Sequence, residues 1–242
     1  MSATPRVEVH PDGAALATAV AGELLTRLAD AQAAGGVPQI VLTGGTIAED
    51  IHREVARLSP ASEVDWAQVV VWWGDERFVA PDSPDRNAGQ ARAAFLDAVG
   101  VDPARVHEMP STADAADVDA GAAGYAAVLS DHGGSEFDVV MLGIGPDGHI
   151  ASLFPGFAQL DVADRAAVGV TGSPKPPPER ISLTFPVLNR ARSVWFLVSG
   201  DGKAAAVASA LGGADLHDTP AAGVTGHDET IWFLDRAAAS RL

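Results

Sequence analysis

The chain has 242 residues, of which 47% are hydrophobic and 20% charged, a composition typical of a globular protein with a sizeable core. A formal net charge of −16 argues against a broad surface for nucleic acid or acidic membranes, and the lack of cysteine excludes disulfides and thiolate chemistry. The longest apolar runs are far shorter than the roughly 20 residues that cross a bilayer, and the N-terminus lacks a secretory pattern. We therefore expect a cytoplasmic protein without membrane or nucleic-acid partners, while its oligomeric state, a monomer included, stays open.

Predicted strands and helices alternate along the chain. Hydrophobic patterning predicts strands at 7–9, 40–42, 69–73, 137–144, 181–184, 194–198 and 231–234. Helices are predicted at 12–33, from the turn at 43–46 to residue 58, at 87–99 and at 117–129, with shorter ones between the last strands. Short apolar strands separated by helices indicate an α/β fold, with a mostly parallel, Rossmann-like sheet flanked by helices on both faces. No repeat or linker divides the chain, so we expect one domain over residues 1–242.

Three of the predicted strands end in polar loops. These loops are TGGT at 43–46, GDER at 74–77 and GPDGH at 145–149. In open α/β sheets, ligands bind outside the carboxyl ends of the strands. The loops are therefore predicted to converge on one active site.

The two lysines are candidates for an anion site. They are Lys175, in a proline-rich segment, and Lys203, which follows two glycines and precedes a predicted helix. A helix N-terminus presents unpaired N–H groups and the positive end of a dipole, so a lysine there favours an anion. Either lysine could equally be an ordinary solvated surface residue.

The segment at 143–148 has the Gly-x-Gly-x-x-Gly spacing of a dinucleotide-binding turn. That fingerprint requires a helix of several turns after its third glycine and an acidic residue about 20 positions further on. Here Pro155 and Gly156 interrupt the chain soon after the motif, and the acidic residues at 161 and 164 follow no strand pattern. The spacing therefore does not predict a nicotinamide cofactor.

The same loop contains an acid–base pair, Asp147 and His149. Imidazole can take a proton from water near neutral pH, so His149 is a candidate general base. It could instead be a histidine satisfied by backbone at a helix N-terminus, with Asp147 as a cap. There is no nucleophile elbow, phosphate loop or His-x-x-x-His pair. The residues alone indicate an acid–base enzyme without a metal that acts on an anionic substrate.

Five segments together, in this order, carry a specific resemblance: WGDERFV (73–79), Asn87, LGIGPDGHIASLFPG (142–156), SPKPPPERISLT (173–184) and GDGKA (200–204). They resemble the 6-phosphogluconolactonase family, which is related to glucosamine-6-phosphate deaminases. The deaminases carry a tyrosine in place of Arg77 and a glutamate before the proline in place of Phe154, which favours the lactonases. The loop TGGTIA (43–48) departs from the Ser-Gly-Gly-Ser-Thr-Pro common in that family, although Thr46 keeps a hydroxyl.

The resemblance implies hydrolysis of 6-phospho-D-glucono-1,5-lactone to 6-phospho-D-gluconate, with neither metal nor organic cofactor. His149 would activate the water, and Asp75 and Asp147 would orient His149 or the sugar hydroxyls, with the division between them open. Arg77 and backbone N–H groups near Gly145 would stabilise the oxyanion. Arg77 could instead be an ion-pair partner of Asp75 or of its neighbouring glutamate.

The resemblance also implies a phosphate site. Its expected members are Gly44, Gly45, Thr46, Arg180, Lys203 and, as a weaker member, Lys175. Two other functions use a similar anion site. One is a sugar-phosphate deaminase, which would need an additional carboxylate, and the other is a non-catalytic sugar-phosphate sensor.

Overall fold

Nine strands form two sheets in the computed structural model, which describes residues 4–132 and 136–242. In chain order the strands are β1 (Arg6–His10), β2 (Gln39–Leu42), β3 (Val70–Trp73), β4 (Asp75–Arg77), β5 (Val139–Leu142), β6 (Ala167–Val170), β7 (Arg180–Leu183), β8 (Ser193–Val198) and β9 (Glu229–Asp235). The main sheet has the spatial order β1-β9-β8-β5-β2-β3, and every neighbouring pair in it is parallel.

The central strands of the main sheet are buried along their whole length. Every residue of β5 and β8 is buried, as expected for parallel strands that are covered on both faces. Aromatic side chains fill the core beside β8, where Phe196 stacks on Trp232 with ring centroids 3.9 Å apart. The predicted α/β fold with a mostly parallel sheet is confirmed.

The helices begin close to their predicted starts. They are α1 (Gly13–Ala33), α2 (Thr46–Leu58), α3 (Asn87–Ala91), α4 (Asp97–Val99), α5 (Val118–Asp131), α6 (Phe185–Leu188) and α7 (Ala204–Leu211), with a π-helical segment, Arg92–Leu96, joining α3 to α4. The carboxylates of Asp12 and Asp117 accept the N–H groups of Ala15 and Ala120 at 2.8 Å, which caps α1 and α5. Within the described ranges, no helix is long and apolar enough to cross a membrane.

A second, antiparallel sheet of order β4-β7-β6 was not predicted. The apolar run at 181–184 was assigned to the main sheet, but β7 instead pairs with β4 and β6. The chain passes from the main sheet to the antiparallel sheet at Gly74. The Gly74 N–H donates to the carbonyl of Leu42 in the main sheet, and the Gly74 carbonyl accepts the N–H of Leu183 in the antiparallel sheet. Helix α5 packs closely on this sheet at Gly121, where an added Cβ would press on Ile181.

A histidine on the surface links two loops of the fold. His217 bonds through Nδ1 to Asp215 and through Nε2 to Asp161, both at 2.9 Å. The hydrogen bonds to Asp161 and Asp215 raise the pKa of His217 above its usual 6.5. A protonated imidazole therefore stabilises the folded chain more than a neutral one does.

This linkage predicts pH-dependent stability. Compared with a His217→Ala variant, the wild type should have its largest advantage in melting temperature below about pH 6, where His217 is protonated in both the folded and unfolded chain. The advantage should decline as the pH rises through the raised folded pKa. Melting curves of both proteins from pH 5 to 9 test this, and an advantage independent of pH would contradict it.

Candidate active site

The three polar loops meet at the carboxyl edge of the main sheet. They surround two adjoining cavities of about 400 and 240 Å³, which share the walls formed by Gly44, Gly45, Gly143, Ile144 and Lys203. The larger cavity extends along the first turn of α2, and the smaller one reaches the antiparallel sheet. The smaller cavity brings most of the proposed site residues together, namely Gly44, Gly45, Asp75, Arg77, His149, Lys175, Arg180 and Lys203. Thr46 lines the larger cavity, and Asp147 reaches the site through His149.

His149 and Asp147 form a close pair. His149 Nδ1 lies 2.5 Å from Asp147 Oδ1, and the imidazole, 12% exposed, packs on Phe154 with centroids 4.6 Å apart. Burial alone would raise the pKa of Asp147, but the hydrogen bond and charge of His149 outweigh burial and lower it from 3.8 to about 2. An ionised carboxylate only accepts, so Nδ1 donates the proton and Nε2 of the neutral ring is left as the basic nitrogen.

A tight turn rather than a helix positions this pair. The N–H of Gly145 donates to the His149 carbonyl at 2.8 Å, and the N–H of Gly148, whose φ is +84°, donates to the Gly145 carbonyl at 3.0 Å. No helix occurs over 143–156, so the alternative of a histidine at a helix N-terminus is wrong. The Gly145 N–H is bonded within this turn, so an oxyanion donor among the N–H groups near Gly145 would have to be a neighbouring N–H.

We predict that Gly145→Ala lowers activity, because the new Cβ would overlap both the His149 ring and the Asp147 carboxylate. A displacement of about 1 Å in a catalytic group costs about 10²-fold in rate, so a kcat loss of that order is expected. Gly22→Ala in α1 is the matched control, because an added Cβ there meets nothing within 4 Å. Steady-state assays of the two folded variants test this, and an unchanged kcat in Gly145→Ala would contradict it.

Arg77 bonds to main-chain and amide oxygens. Its Nη1 donates to the Asp85 carbonyl at 2.7 Å and to Asn87 Oδ1 at 2.6 Å. The neighbouring Glu76 accepts the main-chain N–H groups of Asn87 and Ala88. Among the described residues, no ion pair joins Arg77 to Asp75 or Glu76. The alternative role of Arg77 as an ion-pair partner of these residues is therefore wrong.

The structure separates the two aspartates whose roles the sequence left open. Asp75 is buried, accepts a hydrogen bond from Ser152 Oγ at 2.6 Å and lies 4.0 Å from Arg180 Nη1. Of the two aspartates, only Asp147 is hydrogen-bonded to the imidazole of His149. The geometry therefore pairs Asp147 with the histidine and Asp75 with the arginine.

Besides Arg77, three more cationic side chains line the smaller cavity. Arg180 is buried and donates from Nε to the Pro177 carbonyl and from Nη2 to the Lys175 carbonyl. Burial lowers the pKa of Arg180, and the Asp75 charge opposes this. Lys203, directly before α7, donates from Nζ to the Ile144 carbonyl at 2.6 Å, and burial followed by the charge of Lys175 lowers its pKa. Lys175 itself is exposed.

The N-terminus of α2 lines the larger cavity together with Lys203. Gly45 precedes the helix with a φ of +103°, and no side chain of the described residues caps the first N–H groups. Thr46 is the first residue of the helix and lines that cavity. The N–H groups and Lys203 line this cavity together with the carboxylate of Asp50, and the N–H groups and the lysine suit an anionic group.

Sequence reasoning assigned no role to three residues of this site. Asn87 and Ala151 line the smaller cavity, and Ser152 bonds to Asp75. Ala151 has a φ of +45°, a left-handed conformation that is strained for a residue with a Cβ and recurs at functional sites. Asn87 was visible only as part of a motif, and alanine gives no sequence signal for such a backbone. In the described ranges, no three potential metal ligands of the His, Cys, Asp or Glu type converge.

Comparison with known proteins defines the family. Residues 11–232 match the family described as glucosamine-6-phosphate isomerases/6-phosphogluconolactonase. The 6-phosphogluconolactonase of Streptomyces coelicolor is 46% identical over 251 residues, covering 100% of this chain and 96% of the relative. The chain belongs to the glucosamine-6-phosphate isomerase/6-phosphogluconolactonase family.

Solved structures have the same fold. A 6-phosphogluconolactonase from Shewanella baltica superposes with a TM-score of 0.83 at 25% identity, covering 97% of this chain and 99% of that one. A monomeric glucosamine-6-phosphate deaminase superposes with a TM-score of 0.82 at 22% identity, covering 98% of this chain and all of that one. Because both activities occur on this fold, the fold alone does not distinguish them.

Proposed function

We propose that the protein hydrolyses 6-phospho-D-glucono-1,5-lactone to 6-phospho-D-gluconate in the oxidative branch of the pentose phosphate pathway. The observation that carries this is the Asp147–His149 pair, whose imidazole opens onto a cavity that four cationic side chains also line. A base at one position and an anion site at another suit a substrate with a phosphate remote from its reacting carbon. A single domain over residues 1–242 and a cytoplasmic location are part of this proposal.

Hydrolysis begins with proton transfer from water to His149. Asp147 accepts the Nδ1–H and stabilises the imidazolium that forms when Nε2 takes the proton. The water oxygen bonds to the lactone carbonyl carbon, and the carbonyl oxygen becomes an oxyanion. The ring carbon–oxygen bond then breaks, and His149 returns the proton to the departing ring oxygen. The second proton of the water remains on the new carboxyl group, which releases it to solvent to give the open-chain aldonate.

Arg77 is the side chain that we assign as the donor to the oxyanion. It lines the cavity with His149, and its charge compensates for the negative oxygen that forms in the transition state. Donors placed in advance at such an oxygen contribute about 3 kcal/mol each in other enzymes. Asp75 lies close to Arg180 and accepts a hydrogen bond from Ser152. We assign its carboxylate to the part of the site that binds the sugar.

The phosphate lies between the N-terminus of α2 and the cations on the facing wall. Gly44, Gly45 and Thr46 offer main-chain N–H groups and a hydroxyl, while Lys203 and Arg180 supply countercharge. Lys175, being exposed, contributes less because solvent screens its charge. Binding at this remote group orients the lactone carbon toward His149.

The arrangement of carboxylates favours hydrolysis over deamination. Opening and enolising an amino sugar needs an additional free carboxylate beside the base. Of the two aspartates proposed for the site, Asp147 is bonded to the imidazole of His149 and Asp75 is bonded to Ser152. Both are committed to side-chain partners, which leaves them poorly suited to move a second proton.

A direct assay tests the proposal. Fresh phosphorylated lactone is added to the purified protein in a pH-stat, and the rate is corrected for spontaneous opening. We expect strong acceleration of acid release and no ammonia from glucosamine 6-phosphate. Ammonia release without lactone opening would support a deaminase, and binding of both sugar phosphates without any turnover would support a sensor.

A further inference from the structure

Asn87 connects two loops of the site through its side chain. It is 2% exposed and begins α3. Its Nδ2 donates to the Asp75 carbonyl at 2.9 Å, and its Oδ1 accepts from Arg77 Nη1 at 2.6 Å, both in the loop at 74–77. Gly44, in the loop at 43–46, approaches so closely that an added Cβ there would overlap Asn87 Oδ1. The amide is therefore fixed between these two loops.

A buried carboxylate fixes the backbone of Asn87. Glu76 is 1% exposed, and its Oε1 accepts the N–H of Asn87 at 2.7 Å and the N–H of Arg77 at 2.8 Å. Its Oε2 accepts the N–H of Ala88 at 2.8 Å. Because one carboxylate holds the main chains of both residues, the Asn87 amide and the Arg77 side chain have a common anchor.

These contacts occupy only one nitrogen of the Arg77 guanidinium. Nη1 uses both of its protons, toward the Asp85 carbonyl and Asn87 Oδ1. Nε and Nη2 have no hydrogen-bond partner within the described part of the chain, and Nε is buried. Nη2 is not among the buried atoms without a partner, so it is the guanidinium nitrogen that remains for an oxygen in the cavity.

We propose that Asn87 is a positioning residue, which holds Arg77 Nη1 so that Nη2 is presented to the carbonyl oxygen at the reacting carbon. This rests on the proposed lactonase function and on the role of Arg77 in it. The carbonyl oxygen is the atom that becomes the oxyanion when water adds to the lactone. Glu76 supports the arrangement by fixing the main chains of Arg77 and Asn87.

A double-mutant cycle separates positioning from a general structural effect. We expect Asn87→Ala to lower kcat about 10- to 10²-fold and to change KM less than about threefold, because the phosphate ligands stay in place. Arg77→Ala should lower kcat about 10²- to 10³-fold. The double variant should be no slower than Arg77→Ala, because Asn87 acts through Arg77.

Asn189 provides the matched control. Its amide also makes one donor and one acceptor bond, to the Gly223 carbonyl at 3.0 Å and from the Thr225 N–H at 2.9 Å, and it lines neither cavity. Asn189→Ala should lower the melting temperature without changing kcat. If Asn87→Ala and Asn189→Ala both lower only the melting temperature, Asn87 has no positioning role.

A second variant keeps the test informative if Asn87→Ala does not fold. Asn87→Asp preserves the side-chain volume and the Oδ1 acceptor, but its carboxylate places a negative charge next to Arg77 Nη1. It should lower kcat about tenfold or more when Arg77 is present and have no effect in the Arg77→Ala background. Multiplicative losses in either cycle would overturn the positioning role while leaving lactonase activity intact. A wild type that does not open the lactone would instead overturn the proposed function.

Discussion

The His149→Ala variant is expected to lose about 10²- to 10⁴-fold in kcat, which is the range that general acid–base groups contribute. The imidazole is the only described group held by Asp147 through a hydrogen bond between side chains, and its loss removes proton transfer from both steps of the reaction. KM should change little, because the cations that hold the phosphate keep their partners. The measurement is a pH-stat assay at saturating lactone, corrected for spontaneous opening.

The chain contains its own control for this substitution. His217 also bonds through Nδ1 to an aspartate two residues earlier, at 2.9 Å, but it lies outside both cavities. His217→Ala should therefore keep kcat within about twofold, since surface changes away from the site have small effects. A folded His149→Ala protein with a rate close to the wild type would end the assignment of His149 as the base.

Removal of the phosphate from the substrate should have a comparably large effect. We expect unphosphorylated gluconolactone to have a kcat/KM about 10²- to 10⁴-fold lower, because each charge-assisted hydrogen bond to the phosphate contributes roughly 1.5 to 3 kcal/mol. Part of the loss should fall on kcat, since remote binding energy also orients the reacting carbon. Progress curves with both lactones at equal enzyme concentration measure the ratio.

Substitution of the two lysines shows which of them provides the selectivity for the phosphorylated lactone. Lys203→Ala should raise KM for the phosphorylated lactone about 10- to 100-fold, whereas its kcat/KM for the unphosphorylated lactone should stay within about threefold. The exposed Lys175 is the matched lysine, and Lys175→Ala should have the smaller effect. Equal kcat/KM for the two lactones in the wild type would rule out the proposed anion site.

Much of this architecture could be predicted from the sequence. Near-continuous apolar runs such as Val194 to Val198 predict buried parallel strands, because only strands covered on both faces lack polar positions. The parallel direction then places the loops after β2 and β5 at one edge of the sheet, and the structure brings them together there. Pro155 and Gly156 argue against a long helix after the glycine motif, and only a short 3-10 helix, Ala158–Asp161, follows it.

The sequence by itself determined the strand pattern, the edge of the sheet that carries the loops and the residue types available for acid–base chemistry, because these follow from local patterning. Only the tertiary structure decided which side chains meet. The unpredicted antiparallel sheet pairs Arg77 with Arg180, which are far apart in the chain, and so brings Asp75 beside Arg180 and leaves Asp147 to His149. Pairing of this kind depends on which distant segments bury each other's surfaces, and the period of one segment does not specify its partner.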